Sequence, residues 1–479
     1  MKKKALISSI ITIALCLSLI AGSTFALFTS EDSVNIAVTS GKVEIEATID
    51  QANVNLYSAE KIVDGTTVPA GAPTFEDEYG KDYYHLDRTK EGSFTNGGTA
   101  TVTNGVLNID LITPGDKVTF GITGTNNSNV AIQYRYIIEC IDGFDLMSGL
   151  VVTVDETAGS RSYESVASYE STWTALNANT DFEVEVSVEL PVKAGNEYQD
   201  LTNTKIRVTV EAVQGNADKT DAAPVVGYIE KVTDAAGVAA QLADADTEYI
   251  LILADIAEPM LVTNNNLTNK TLDAYGNDVA FQFGDAQHAV VLDNVTIKGV
   301  KEETGAQSVR FDNATGNVTI EDCEFTSNAG TYYYAAVYTH ENLDITVNDC
   351  VFNAPADGGK GYGVIGYKSG SLEFNNTTFN GITSWAIMIN GTLVGDVTIN
   401  KCTFNNCVKG LFKGGVEGQV GTSGKTEGVV TFTNNIITAD DQAAFLASEW
   451  FGGGWENDLV AGGNTVNGVA WDLSTYTRP

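Results

Sequence analysis

Apolar and polar positions along the chain follow two regimes, and the more regular one lies downstream. Asn317 to Phe325 reads Asn-Val-Thr-Ile-Glu-Asp-Cys-Glu-Phe, and the layout returns at Asp344 to Phe352, Ser371 to Phe379 and Asp396 to Phe404. Fainter copies run from Val291 to Thr296 and from Val430 to Ile437. With Asn294, Cys323, Cys350, Thr377, Cys402 and Asn435 as markers, the copies lie 29, 27, 27, 25 and 33 residues apart. Each alternates apolar and polar residues, breaks at a polar residue, then resumes with an inward Cys or Thr and an inward Phe. That is the pattern of two short strands joined by a tight bend. A period of this length means one supersecondary unit per repeat, stacked on its neighbours. Because β-branched residues dominate and no helix-length apolar run separates the copies, residues 227–479 read as a right-handed parallel β-helix. The column before the markers is Asp293, Asp322, Asp349, Asn376, Lys401 and Asn434. Asn and Asp suit a bend, since their side chains bond nearby backbone and tolerate left-handed geometry.

Upstream the pattern is shorter and less regular. Val34, Ile36, Val38; Val43, Ile45, Ala47, Ile49; Val118, Phe120, Ile122; Phe182, Val184, Val186, Val188; and Ile206, Val208, Val210 alternate with polar residues between Gly, Asn and Pro turns. This predicts an antiparallel β-sandwich over 27–216, with the charged, Tyr-rich stretch from Tyr57 to Gly98 as surface loops. Residues 217–226 lack an apolar pattern and read as a linker. Thr233 then offers an N-cap to a short helix with Ala236, Ala239, Ala240, Leu242 and Ala243 on one face, a lid for the open end of the solenoid. Tyr249 to Ile256 and Asn269 to Asp273 read as the first coil and resemble the opening of pectate-lyase-like β-helices. Trp450, Trp455 and Trp471 predict an aromatic closure at the far end. The fold class is therefore all-β: an antiparallel β-sandwich, then a right-handed parallel β-helix with a short capping helix.

Composition adds a compartment. Residues 1–26 carry Lys2, Lys3 and Lys4, an apolar run from Ala5 to Ile20 and Ala-Gly-Ser-Thr-Phe-Ala, the features of a secretory signal peptide, and the apolar run is shorter than a membrane span needs. Its removal carries the net charge from −35 to −38. So acidic a chain argues against nucleic acid, whose phosphates are held by Lys and Arg, and against docking on anionic lipid. Five cysteines remain: Cys140, Cys323, Cys350, Cys402 and Cys407. Cys323 and Cys350 fall on neighbouring coils within disulfide reach, yet inward stacked cysteines also serve as small buried hydrophobes; reduced core thiols are the expectation. No Asp-rich calcium loop is present and the mature chain has only His85, His288 and His340, far apart, so no metal or other cofactor is expected. His85 lies in the charged stretch and reads as solvated.

The leader ending Gly-Ser-Thr-Phe-Ala-Leu-Phe-Thr, the strand Ser40 to Ile49, Leu111-Ile-Thr-Pro-Gly-Asp-Lys-Val-Thr-Phe120 with Asn126 to Ile132 after it, and the closing segments Ala194 to Gln199 and Glu211 to Gln214 together resemble the TasA/camelysin family over about residues 1–216. The resemblance implies a jelly-roll-like sandwich, export, and in several members assembly into biofilm matrix fibres through a strand freed at the new N-terminus. Here that donor strand would carry Val34, Ile36 and Val38; the alternative is an ordinary first strand on its own sandwich. The family name also carries a metallo-endopeptidase label, for which the histidines give no zinc-binding pair.

β-Helices that act on polysaccharides carry their chemistry on the strand before the Val-Thr-Ile copy. Those strands are Ser308 to Asp312, Ala335 to His340, Gly363 to Tyr367, Trp385 to Asn390 and Gly410 to Lys413. With Phe311, Val337, Ile387, Ile389 and Phe412 inward, the outward residues are Arg310, Asp312, Tyr338, His340, Met388, Asn390 and Lys413. A glycosidase needs two carboxylates about 5 to 10 Å apart, and Asp312 is one. Arg310, Tyr338 and His340 on adjacent coils form a candidate glycan-facing group; the competing reading is a solvated face with ordinary tyrosines. The sequence thus predicts a secreted matrix or cell-surface adhesive protein that self-assembles or joins related matrix proteins. A carbohydrate-binding or polysaccharide-cleaving β-helix is the alternative, and a peptidase stands third.

Overall fold

The computed structural model describes residues 29–33, 43–77, 80–89, 93–94, 97–156, 159–198, 201, 203–217, 219, 223–264, 266–302, 308–326, 335–339, 343–354, 362–366, 370–390, 395–414, 429–440, 450–453 and 459–473. The chain forms two compact units, Met1–Ile229 and Glu230–Pro479, whose boundary falls inside the strand Val225–Val232.

The first unit is a sandwich of two antiparallel sheets. In one, Thr204–Gln214 pairs with Ile132–Asp142 on one side and with Val106–Asp110 and Thr29–Ser33 on the other. In the second, Lys117–Asn126 lies between Asp181–Glu189 and the strands Asn55–Lys61 and Ile45–Ile49. Alternation gives the strands their core-facing rows: Ile206, Val208 and Val210 in the first sheet, and Phe120, Ile122, Val184 and Val186 in the second, where Thr119 and Ser187 are covered as well. Tyr134 packs on Phe182 between the sheets, with ring centroids 4.3 Å apart.

The stretch from Tyr57 to Gly98 is not a set of loops. Asn55–Lys61, Asp82–Asp87 and Thr74–Glu76 extend the second sheet in that order. Tyr83 and His85, two residues apart, share a face of their strand, and both rings stack on Phe75, at 5.6 and 4.6 Å. The aromatic period of two outweighs the surrounding charge. Val34, Ile36 and Val38 lie outside the described residues; the preceding Thr29–Ser33 pairs with Thr204–Gln214 of its own chain.

The second unit is a solenoid of three parallel sheets. The first stacks Ile256–Val262, Val279–Phe283, Val309–Phe311, Ala335–Thr339, Tyr362–Gly366, Trp385–Asn390, Lys409–Gly414 and Phe451–Gly453 in chain order. The middle sheet runs from Thr247–Ile252 through Ala314–Glu321 and Leu343–Asn348 to Leu459–Gly462, and the third from Lys301–Glu302 to Thr465–Val466. A left-handed residue makes the corner between the middle and third sheets in each repeat: Asp322, Asp349, Asn376, Lys401 and Asn434 have φ between 49° and 57°. The faint upstream copy is registered differently from the sequence reading. Val295, Ile297 and Lys298 pair with Val318, Ile320 and Glu321. The corner there is therefore Gly299 (φ 63°) and the inward residue Val300, not Asp293 and Asn294. Asn294 is itself left-handed and kinks the middle of its strand.

Inward columns fill the solenoid. Phe325, Phe352, Phe379 and Phe404 stack at 5.1, 5.0 and 5.0 Å, each burial contributing roughly 1.5 to 3 kcal/mol. The Cys323, Cys350, Thr377, Cys402 column continues into buried Asn435 and Asn464. Asn435 fits because its amide is satisfied: Oδ1 accepts from the Cys402 N–H at 2.8 Å, and Nδ2 donates to Ile399 O at 3.0 Å. The five described cysteines, Cys140, Cys323, Cys350, Cys402 and Cys407, are buried free thiols, and burial pushes Cys402 and Cys407 up to about 12, which removes them as nucleophiles near neutral pH.

A short helix, Ala235–Ala243, covers the first coil, capped by Asp234 rather than Thr233; the Asp234 side chain accepts from Gly237 N at 2.7 Å. Val238 and Leu242, one turn apart, are its buried residues, so the apolar contact is narrower than the alanine stripe read from the sequence. At the other end Trp450 packs edge-on against Phe404, Phe432 and Trp471; Trp455 lies outside the described residues. Among the described residues no helix is long and apolar enough to cross a membrane.

Candidate functional site on the outer face of the first solenoid sheet

Register fixes which side chains share the outer face. Leu261, Gln282, Arg310, Tyr338, Ile365, Met388 and Phe412 occupy one column of the first sheet. Arg310 and Tyr338 are thus brought together on adjacent coils, as expected, while His340 lies outside the described residues. At the downstream end the expected register fails by one residue. Leu411 pairs with Ile387 in the inward column, so Phe412 registers with Met388 and Lys413 with Ile389. Adjacent Leu411 and Phe412 both suit an interior, and only the neighbouring coil decides between them.

The column divides into an open and a closed part. At the open part the Arg310 guanidinium lies over the Tyr338 ring, 5.8 Å from its centroid, and its Nε donates to Asp312 Oδ1 at 2.6 Å. Gln282, one coil upstream, donates to the other Asp312 oxygen at 2.9 Å. Asp312 therefore orients both partners, and the Arg310 side chain keeps 42 % of its surface in solvent. Downstream, Tyr362, Ile365, Trp385 and Met388 form an apolar cluster of their own, separate from the core and at most 5 % exposed, with Tyr338 packed against it. Lys409 lies over the Trp385 ring at 4.7 Å. This corrects the reading of Met388 as part of a solvated face. The sequence offered no periodic signal for the cluster, because Tyr362 and Trp385 stand singly at strand starts.

From Val279–Phe283 onward, Asp312 is the single carboxylate among the described outward positions of this sheet. Its two oxygens accept from Arg310 Nε and Gln282 Nε2, so one carboxylate holds both donors in place.

The sandwich holds a second group of ionisable residues. His85 is 11 % exposed, with Nε2 4.0 Å from Glu189 Oε1. Burial and the nearby Lys117 lower its pKa from 6.5 to about 4, so it is neutral and enclosed, not solvated. Burial raises the carboxyl groups of Asp116 and Glu189 above their ordinary range. His288 pairs with Asp285 at 2.8 Å. Among the described residues no group of three or more His, Cys, Asp or Glu is placed to hold a metal ion.

No curated protein matches the chain. Among solved structures, the catalytic domain of a GH87 alpha-1,3-glucanase in complex with nigerose is similar at 10 % identity and a TM-score of 0.24, over 91 % of this chain and 84 % of that one. A variant of such a domain in complex with tetrasaccharides matches at 10 % identity and a TM-score of 0.16, over 90 % of this chain and 100 % of that one. Superpositions this weak carry no argument about the site. Residues 279–460 match the family model described as a right handed beta helix region, which agrees with the three-sheet solenoid and supplies its hand.

Proposed function

We propose that this is a secreted, surface- or matrix-associated protein whose β-helix binds polysaccharide and whose sandwich assembles or tethers it. The observation that carries the binding role is the Gln282, Arg310, Asp312 and Tyr338 group, in which a planar guanidinium and an amide are fixed by one carboxylate beside an aromatic ring. Sugars present hydroxyls to such donors and C–H faces to such rings. Cleavage is not part of the reading, since among the described residues of these strands Asp312 has no carboxylate partner. Export and assembly rest on the leader and on the TasA/camelysin-like sequence of the first unit. Val34, Ile36 and Val38 are the segment through which copies, or related matrix proteins, would join.

The test is titration of the mature protein with neutral and acidic oligosaccharides, beside an Arg310→Ala/Tyr338→Ala variant. Saturable binding by the parent, weakened at least about tenfold in the variant, is expected, since two removed contacts of about 1 kcal/mol each give that factor. Equal binding by both proteins, or none across the panel, overturns the reading.

A further inference from the structure

Among the described residues four thiols line the solenoid, and two of them stand on adjacent rungs. Cys323 and Cys350 occupy one inward column: Glu321 and Asn348 before the corner are in register, and so are Glu324 and Val351 after it. Parallel strands set such neighbours about 4.8 Å apart, inside the Cα range that a disulfide spans. Cys402 is flanked in the same column by Thr377 and Asn435, and Cys407 lies beyond the far end of the strand Thr403–Asn405.

The direction of the thiols separates the pair further. Cys323 donates to Glu321 O at 3.1 Å, and Cys350 donates to Asn348 O at 3.2 Å. Cys350 also reaches Ile320 O at 3.5 Å, on the preceding coil, so its sulfur leans toward the rung of Cys323. Cys402 leans the same way, to Phe374 O at 3.5 Å, but the rung it approaches is Thr377. A thiol is a weak donor, so these contacts oppose a covalent bond only slightly. The two coils concerned are those of the open patch: Val309–Phe311, with Arg310, leads through Ala314–Glu321 to Cys323, and Ala335–Thr339, with Tyr338, leads through Leu343–Asn348 to Cys350.

We infer that Cys323 and Cys350 join as a disulfide when the chain folds in an oxidising compartment, stapling the two coils from which Arg310 and Tyr338 project. The oxidant is a low-molecular-weight disulfide. One protein thiolate attacks it and releases a first small thiol; the second protein thiolate then attacks the mixed disulfide and releases another. Two protein S–H groups and one external S–S bond become one protein S–S bond and two external thiols, so the protein gives up two electrons and the oxidant takes them. In the finished fold Cys323 and Cys350 are 2 % and 0 % exposed, and burial, then the neighbouring Cys350 side chain, raises the Cys323 thiol well above its ordinary range. The exchange therefore belongs to folding, before the coil of Thr377 stacks on Cys350.

The experiment makes the mature protein in two ways, secreted into an oxidising medium and expressed in a reducing cytosol. Each sample is denatured and alkylated without reductant, and mass spectrometry counts the tags and maps linked peptides. The cytosolic protein is expected to carry five tags, and the secreted protein three together with a Cys323–Cys350 peptide pair. Secreted Cys350→Thr should carry four tags and no disulfide. Thr377 shows that the column accepts this side chain, since its hydroxyl donates to Asn375 O at 3.0 Å and Val347 O at 3.4 Å, as the thiols do. Amide exchange on the two joined coils should be at least about tenfold slower in the secreted protein than in the same protein after reduction, because the bridge closes the loop between them. Five tags in the secreted protein, a linked pair that involves another cysteine, or a disulfide that persists in Cys350→Thr overturns the bridge. Equal exchange before and after reduction overturns the stapling of the patch. Tags and exchange are read without ligand, so a failure of glycan binding leaves both results unchanged.

Discussion

The sandwich and the β-helix both bury long rows of Val, Ile and Phe, but they treat ionisable groups in opposite ways. The sandwich buries Asp116 and sets His85 beside a partly covered Glu189, and Arg135 bridges Glu170 and Glu211 on neighbouring strands. From Ala314 onward, the described interior of the solenoid holds Thr339, Thr377, Asn435, Asn464 and thiols, but no acid or base. Its first coils are intermediate: buried Lys270 donates to the carbonyls of Asp244 and Thr247, and burial lowers its pKa. The difference follows from architecture. A position in the sandwich has its own neighbours and can be matched to a particular charge, whereas a solenoid interior repeats every coil and a buried charge would face its like one rung away.

The largest effect expected from this contrast is in the phenylalanine stack. Phe379→Ala removes a ring packed at 5.0 Å on both Phe352 and Phe404 and should cost about 3 to 5 kcal/mol. Solenoid stability is a sum of neighbour terms, so amide exchange should speed up on the coils carrying Phe352 and Phe404 while the sandwich keeps its protection. Equal loss of protection in both units would break the comparison, since it would make them one cooperative body.

Next comes acid. His85 titrates at about 4 in the fold against 6.5 in the open chain, so below pH 6.5 the unfolded state takes up a proton that the folded state refuses. Stability contributed by the neutral ring is whole above 6.5 and is lost as pH falls toward 4, by at most about 3 kcal/mol. Asp116 and Glu189 act in the other direction, because their raised carboxyl pKa values favour the folded state as pH falls, and they offset part of the loss at the acid end. Thermal unfolding should therefore show a sandwich transition that weakens between pH 6.5 and 4 and a β-helix transition that does not. His85→Phe keeps a ring on Phe75 and should flatten the slope; the same slope in the variant would remove His85 as its source.

The two units also differ in how far the sequence discloses them. The coils carrying Cys323, Cys350, Thr377, Cys402 and Asn435 are legible because each column is written again one period later, so an ambiguous residue is settled by its neighbours. Legibility ends where that redundancy does. The Gly299 corner lacks the Asn or Asp that marks all the others but Lys401, and the kink at Asn294 imitates one; Leu411 and Phe412 offer two inward candidates side by side. In the sandwich nothing repeats, so the strands Thr74–Glu76 and Asp82–Asp87 are concealed by the charge around them. Of the candidate site, Arg310 and Tyr338 could be read from strand periodicity. Gln282 was not, since its coil lies before the repeat becomes regular, nor was the enclosure of Tyr362 and Trp385, which depends on packing outside the repeat.

The smallest effect addresses the corner itself. Asp322, Asp349, Asn376 and Asn434 are of the two residue types that tolerate left-handed φ at modest cost, whereas Lys401 holds φ 55° without that advantage. Its long side chain is exposed, so replacement disturbs no core. Lys401→Asn should stabilise the β-helix by about 1 kcal/mol, and the reverse change, Asn376→Lys, should cost a similar amount. Urea unfolding of the two variants reads both signs. Opposite shifts would mean that the corner residue, and not only the inward Cys and Phe columns, sets the fold of each coil. No shift in either would leave the coil defined by its interior alone, and the solenoid would then resemble the sandwich, where burial rather than turn chemistry fixes the register.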